Sequence, residues 1–70
     1  MNNNIKAYRL KEKGLSQAKL AQRAGIALRH FQNLEYGLAR PRIDTLHRLA
    51  KALGVTESEL YPPLKESANE

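Results

Sequence analysis

Apolar residues recur along this 70-residue chain at the three- and four-residue spacing of helices that bury one face. The pattern predicts five helical segments and no strand, so an all-α fold is expected. The expected segments are about 4–13, 17–24, 27–36 and 43–53, with a fifth that follows Thr56 and ends before Pro62. The apolar stripe of the fourth segment is expected to consist of Ile43, Leu46, Leu49, Ala50 and Leu53.

Residues that start and stop helices support these boundaries. Ser16 is a good N-cap for the second segment. Thr56 and Glu59 form a T-x-x-E capping box in front of the fifth. A glycine follows the first, third and fourth segments, where a left-handed residue commonly ends a helix: Gly14, Gly37 and Gly54.

Gly25 interrupts an otherwise helical stretch between Gln17 and Glu35. The apolar residues on its two sides are out of phase, so the chain is expected to turn there rather than continue as one helix. Two helices joined by a short turn that contains a glycine form a helix-turn-helix. Gly25 is expected to have a positive φ, which costs glycine little. Four apolar side chains are expected to fill the angle between the two helices: Leu20, Ile26, Phe31 and Leu34.

The third segment is expected to project from the body, so that its outer side could enter a major groove. The outer residues are Leu28, Arg29, Gln32 and Asn33. Each also has a plainer interpretation, because an arginine or amide on an exposed helix is ordinarily only solvated. Phe31 is interpreted as core rather than as a stacking platform.

Composition and charge narrow the partner and the cellular context. The length corresponds to one small domain, and the absence of cysteine excludes disulfides and thiolate metal sites. The polar start MNNN, with no long apolar run after it, argues against a signal peptide or a membrane span, and a cytoplasmic location is expected. Eleven Lys/Arg oppose three acids up to Gly54, whereas one lysine opposes four glutamates from Val55 onward. This asymmetry indicates an anionic partner that docks away from the C-terminus.

Several motifs occur together in order and spacing. GLSQAKLAQRAGI, residues 14–26, has a Gly-Leu-Ser-Gln start, a Leu-Ala pair and a turn glycine. Further matching positions are Leu34, Glu35, Gly37, Pro41, Thr45, Leu46 and the segment LAKALGV at 49–55. Over about residues 5–61 the chain resembles the lambda-repressor/Cro-like helix-turn-helix DNA-binding domains. The resemblance implies a compact five-helix domain with the helix-turn-helix at helices 2 and 3. It also implies a non-enzymatic, cofactor-free transcriptional regulator, a repressor that binds double-stranded DNA as a homodimer on a palindromic operator.

The resemblance also implies a role for individual residues. The residues implied to contact base edges are Ala27, Leu28, Arg29, Gln32 and Asn33. Those implied to contact the DNA backbone are Ser16, Gln17, His30, Tyr36, Arg40 and Arg42. Among them, Gln17 opens the second helix, where the family's glutamine grips a phosphate and the helix N-terminus favours an anion.

The chain departs from the family pattern at several positions. Ala27 stands where a Ser or Thr cap is usual, and Arg42 stands where Ser is usual. The family's first-helix arginine lies four residues before the glycine, whereas Arg9 lies five before Gly14. Either the first connection carries one extra residue, or Arg9 faces elsewhere and the family's buried Arg–Glu pair, here with Glu35, does not form.

Other functions leave little trace in the sequence. His30 and His47 have no second ligand at metal spacing, so no metal site is expected. The chain also lacks the residue sets of a catalytic centre, and Glu35 is interpreted as structural. A protein-interaction module, such as an antitoxin-like partner that uses the same fold against a protein, is the remaining alternative to a DNA-binding regulator.

The assembly surface is expected at the C-terminal end. Tyr61 and Leu64 are the candidate dimer contacts, with Leu60 interpreted as closing the core; the alternative is that Tyr61 closes it as well. The expected organisation is a flexible start over 1–3, the DNA-binding domain over 4–61, and an acidic tail over 62–70 that could contact a second copy.

Overall fold

The computed structural model describes residues 3–62, which form five helices and no strand. The helices are α1 Ile5–Lys11, α2 Gln17–Ala24, α3 Leu28–Glu35, α4 Ile43–Leu53 and α5 Glu57–Leu60. The all-α prediction is therefore confirmed over this part of the chain. Bounds for α2 and α4 agree with the sequence-based ones, and α3 is one residue shorter at each end.

The turn between α2 and α3 has the geometry expected from its glycine. Gly25 adopts φ +76° and caps the C-terminus of α2, with its N–H directed at the carbonyls of Ala21 and Gln22. The next N–H, that of Ile26, also bonds to the Ala21 carbonyl at 3.0 Å. Two consecutive donors thus satisfy the end of the helix, and α3 begins three residues after Gly25. An L-residue rarely adopts this backbone conformation, which explains the glycine.

One apolar core joins all five helices. Phe31 and Leu34 of α3 are fully buried in the angle with α2, where Leu20 is fully buried as well. Ile26 packs against the same cluster and is partly buried. The other buried apolar residues come from α1, α2, α4, α5 and the first connection: Ile5, Leu15, Ala21, Ala24, Leu49, Ala50 and Leu60. The prediction that four side chains fill the α2–α3 angle is confirmed.

The first helix ends earlier than the glycine spacing predicts. α1 stops at Lys11 instead of Lys13, and Glu12 is extended at φ −96° and ψ 113°. The Leu15 N–H then bonds to the Glu12 carbonyl at 3.1 Å and closes a tight turn, in which Gly14 has φ +78°. Gly14 therefore shapes a separate turn and does not end the helix. The turn lies in the first connection, where the spacing of Arg9 from Gly14 left one extra residue as an open alternative.

Ile43 does not belong to the apolar stripe of α4, contrary to the sequence-based prediction. Its side chain is 83% exposed, although it is spaced correctly from Leu46. Ile43 is the first residue of α4, at the end of the helix, where residues 3–62 leave its side chain almost uncovered. The packed face begins one turn later, with Leu46 partly buried and Leu49 fully buried. Helical spacing thus gave the correct face but not the point at which contact begins.

Asn3 and Asn4, at the start of the described chain, are hydrogen-bonded to α3 and α5. The backbone N–H of Asn4 donates to the Leu60 carbonyl at 2.9 Å, and its side chain donates to the Glu59 carbonyl at 2.8 Å. Asn3 donates to the Leu34 carbonyl at 3.1 Å. The predicted capping box of α5 is present, with the Thr56 N–H on the Glu59 carboxylate at 2.7 Å. These bonds fix a four-residue helix that is too short to be stable alone.

Phe31→Ala should lower the free energy of unfolding by about 3–5 kcal/mol, because the fully buried ring leaves a cavity between α2 and α3. Chemical denaturation followed by circular dichroism would measure the loss. Leu38→Ala, a truncation of an apolar side chain that is 74% exposed, is the control and should change stability little. Equal effects of the two substitutions would contradict the core assignment of Phe31.

Candidate nucleic-acid interface

Helix α3 divides cleanly into a buried and an outward face. Phe31, Leu34 and Glu35 are buried, whereas Leu28 is 41% exposed and Arg29 is exposed beside it. The remaining residues implied to contact DNA from this helix and its start are Ala27 and His30, both exposed, and Gln32 and Asn33, both half-buried. The outward residues of the first turn of α3 are thus more exposed than those of the second.

The start of α3 carries no side-chain cap. Ala27 is in the N-cap position with φ −67° and ψ 144°, and it makes no capping hydrogen bond. Ser16, by contrast, caps α2 by accepting from the Lys19 N–H at 3.1 Å. The N–H groups of the first turn of α3 therefore have no side-chain cap within residues 3–62.

A buried ion pair joins α1 to the end of α3. Arg9 Nε lies 3.0 Å from Glu35 Oε1, and Arg9 Nη2 lies 3.1 Å from Oε2, which gives a bidentate pair. Arg9 Nη1 also donates to the Leu15 carbonyl at 3.1 Å. The side chains are only 11% and 2% exposed. Of the two alternatives left open by the sequence, the structure has the first: the connection carries the extra residue, and Arg9 reaches Glu35.

Gln17 extends this pair into a polar network at the corner between α2 and α3. Its Nε2 donates to Glu35 Oε2 and to the Tyr36 hydroxyl, both at 3.1 Å. Its Oε1 accepts from Gln32 Nε2, also at 3.1 Å. The sequence-based interpretation named Gln17, Gln32 and Tyr36 separately as DNA contacts and missed their mutual bonds. Nothing in the sequence signals them, because they span 15 to 19 positions and depend on how the helices cross.

The six arginines fall into two groups. Arg9, Arg23 and Arg48 each pair with an acid: Arg23 with Glu12 at 3.0 Å and Arg48 with Asp44 at 3.2 Å. Arg29, Arg40 and Arg42 form no ion pair with any residue in 3–62, and all three are exposed. The unpaired arginines lie on α3 and on the loop that follows it. These are three of the positions that the resemblance implies for DNA contact.

The acidic residues of the described chain are all engaged with other groups. Glu12, Glu35 and Asp44 pair with the arginines above, Glu57 contacts His47 Nδ1 at 2.9 Å, and Glu59 completes the capping box of α5. None lies in the loop between α3 and α4. The outward side of α3 and this loop therefore carry three arginines that pair with no carboxylate of residues 3–62, and Asp44, two positions after Arg42, is engaged with Arg48.

Tyr61 contacts the core of its own chain. It is half-buried against the core, and its hydroxyl donates to the Leu34 carbonyl at 3.4 Å. Burial raises the pKa of its phenol above the ordinary value of 10.0, and the positive charge of Arg40 partly offsets that rise. Leu60 is fully buried, as predicted. Leu64, the second candidate dimer contact, lies outside the described residues.

Two features of residues 3–62 bear on other functions. No group of three or more His, Cys, Asp or Glu side chains in 3–62 could hold a metal ion. In the same range, no helix has the length and apolar character needed to span a membrane.

Comparisons with known proteins connect this geometry to a family. Residues 5–60 match the family described as Helix-turn-helix. The HTH-type transcriptional regulator y4dJ of Sinorhizobium fredii, itself uncharacterized, is 40% identical over 57 residues, which cover 81% of this chain and 74% of the relative. An uncharacterized HTH-type transcriptional regulator of Methanothermobacter thermautotrophicus is 41% identical over 54 residues, 77% of each chain. A Mycobacterium tuberculosis protein of the same description is 38% identical over 47 residues, which are 67% of this chain but only 34% of that relative. No solved structure matches with comparable significance.

Glu35→Gln should destabilise the fold by about 3–5 kcal/mol, because it leaves the guanidinium of Arg9 buried without its counter-charge. The matched control is Glu12→Gln, which breaks the exposed pair with Arg23 and should cost less than about 1 kcal/mol. Urea denaturation of both variants measures the difference. If the two substitutions cost the same, the pair at Glu35 does not behave as a buried one.

Proposed function

This chain belongs to the lambda-repressor/Cro-like helix-turn-helix family, and from that membership we propose that it is a transcriptional regulator that binds specific double-stranded DNA sequences. The observation that carries the proposal is the outward face of α3 with its following loop, which presents all three unpaired arginines of residues 3–62. The curated relatives bear the description of HTH-type transcriptional regulators, which agrees with this function.

The first turn of α3 reads the bases in the major groove. Arg29 is exposed and unpaired, so its guanidinium is available for a bidentate contact to a guanine. Leu28 offers an apolar surface that suits the methyl group of a thymine. Asn33 follows one turn after Arg29 and has the geometry for an adenine, and Ala27 lets the backbone approach closely. Gln32 lies at the inner edge of this surface.

The DNA backbone is held on both sides of this helix. Arg40 and Arg42 in the loop after α3 contact phosphates on one side, and the N-terminus of α2 with Ser16 approaches them on the other. His30, exposed on α3, borders the same surface. Phosphate contacts of this kind carry no sequence information, so they set register and affinity while the first turn of α3 sets preference.

Two copies bind one operator. A single helix in one groove reads only a few base pairs, which is too little to select a site among the competitors in a genome. A homodimer places two recognition helices one turn of DNA apart and therefore requires a palindrome. The dimer contact is assigned to Tyr61 and Leu64. Tyr61 is half-buried, so one part of its side chain packs on its own core and the exposed part is left for the partner. Repression is the proposed outcome, because occupancy of an operator is sufficient for it.

Selection of bound duplexes from a random pool tests this function. The expected product is a palindrome with half-site centres about 10 base pairs apart, and affinity should fall steeply as salt rises. Footprinting on that duplex should show both half-sites protected together. Enrichment of a single half-site would contradict the dimer, and the absence of any enrichment would contradict DNA reading and favour a protein partner.

Arg29→Ala should weaken binding to the selected duplex by about 1–3 kcal/mol and flatten the base preference at one position in each half-site. Arg23→Ala is the matched control. It removes the same charge from an arginine of α2 that is already paired with Glu12. It should leave base preference unchanged. Competition assays with single-position variants of the duplex measure both effects, and equal losses on selected and random DNA would exclude Arg29 from base reading.

A further inference from the structure

The side-chain amide of Gln17 has no hydrogen left for an outside partner. A glutamine amide carries two N–H donors. One of them binds Glu35 Oε2 and the other binds the Tyr36 hydroxyl. Its oxygen accepts from Gln32 as well. Three bonds within the chain therefore occupy the group that the family resemblance assigns to a phosphate.

The orientation of this amide is fixed by the carboxylate beside it. Glu35 accepts a bond from Gln17 while it is paired with Arg9, so the nitrogen of Gln17 must face it. The opposite orientation would place two oxygens 3.1 Å apart and two N–H groups, those of Gln17 and Gln32, against each other. The same constraint directs the second N–H of Gln17 to Tyr36.

Tyr36 is left with its own proton. Its hydroxyl oxygen accepts from Gln17, and the described chain offers no acceptor for the O–H. The side chain is 60% exposed and stands at the C-cap of α3, directly before the loop that holds Arg40 and Arg42. A hydroxyl that accepts one hydrogen bond becomes a stronger donor in the next. The corner thus holds an exposed hydroxyl that donates to no residue in 3–62, at the start of the segment that carries the unpaired Arg40 and Arg42.

We propose that Tyr36 donates the hydrogen bond to a DNA phosphate at this corner, and that Gln17 is a positioning residue that aims the Tyr36 hydroxyl. The inference rests on the DNA binding proposed above and changes the division of labour within that site. Arg9 and Glu35 act on Tyr36 only through Gln17, because their ion pair holds the carboxylate that orients the Gln17 amide. A phosphate contact at the C-terminal end of α3 is thereby coupled to the packing of α1 on α3.

A double-mutant cycle on the selected duplex tests the assignment. Tyr36→Phe removes only the hydroxyl and should weaken binding about ten-fold for each bound chain, as expected for one hydrogen bond to a charged group. Gln17→Ala should weaken binding by a similar factor. The double variant should bind no more weakly than the weaker single variant, because both changes remove the same contact. Tyr8→Phe is the control. It removes a tyrosine hydroxyl from α1, and the variant should bind like the parent.

Ethylation interference locates the contact on the DNA. One phosphate in each half-site whose ethylation weakens the parent should become indifferent to ethylation in Tyr36→Phe and in Gln17→Ala alike. A merely structural effect of Gln17 would weaken binding at every phosphate without silencing one, so this pattern separates positioning from damage to the fold. Thermal melting of each variant gives the stability change independently.

The remaining outcomes overturn the assignment. Parental affinity in Tyr36→Phe excludes the hydroxyl as donor, and this holds whether or not Gln17→Ala folds. Additive losses, or a phosphate silenced in Gln17→Ala alone, would show that Gln17 contacts the DNA itself. A parent protein that binds no duplex would overturn the proposed function and this assignment together, which distinguishes that failure from the others.

Discussion

The bidentate pair between Arg9 and Glu35 is the contact on which the arrangement of the other helices depends. Removing two charges from water is expensive, and their attraction compensates only when the geometry is good and the remaining donors are satisfied. Here the remaining guanidinium nitrogen, Nη1, donates to the Leu15 carbonyl, and the carboxylate of Glu35 accepts a further hydrogen bond from Gln17. Four pieces of chain, α1, the first connection, α2 and α3, must therefore be in register at once. Any other register would bury an unpaired charge, so the pair selects one packing even where it adds little net stability.

Contacts at both ends of α3 fix its direction. At its C-terminal end, Glu35 is held by the pair with Arg9. At its start, Gly25 turns the chain through a left-handed residue, and Arg48 of α4 donates to the Gly25 carbonyl at 3.4 Å. Between these points Phe31 fills the angle with α2. A helix of eight residues has little stability of its own. Its outward face is therefore a property of the whole domain, and small shifts in α1 or α4 would re-aim it.

Sequence reasoning succeeded where a single residue type has one physical explanation. Gly25, Ser16 and the Thr56–Glu59 box could be assigned because positive φ and helix capping are local requirements. It failed where the answer depends on what lies opposite. Ile43 has the spacing of a core residue, but the body ends before reaching it.

The candidate site was predictable as a set of positions but not as a set of bonds. The motif named Gln17, Gln32 and Tyr36 as members of one surface, which the structure brings together. It could not show that the three bond to one another, because those bonds arise only once α2 and α3 cross at one angle. The spacing of Arg9 from Gly14 likewise left two outcomes open. The structure decides between them, because a tight turn at 12–15 follows α1 and Arg9 pairs with Glu35.

The ion pairs divide the six arginines of the chain into two groups of different electrical character. A paired charge has a field that falls off quickly, whereas an unpaired one acts over the screening length of about 10 Å at 0.1 M salt. Three arginines are neutralised on the body, and three lie unpaired on α3 and its loop within residues 3–62. Among the arginines, unpaired charge is thus concentrated on α3 and its loop, but the lysines do not follow this division. Five exposed lysines form no ion pair within residues 3–62 and lie on α1, the first connection, α2 and α4: Lys6, Lys11, Lys13, Lys19 and Lys51. Long-range attraction of a polyanion therefore comes from several sides of the domain. What α3 and its loop add is the guanidinium group, whose fixed fork of N–H donors matches a phosphate or a guanine edge once contact is made.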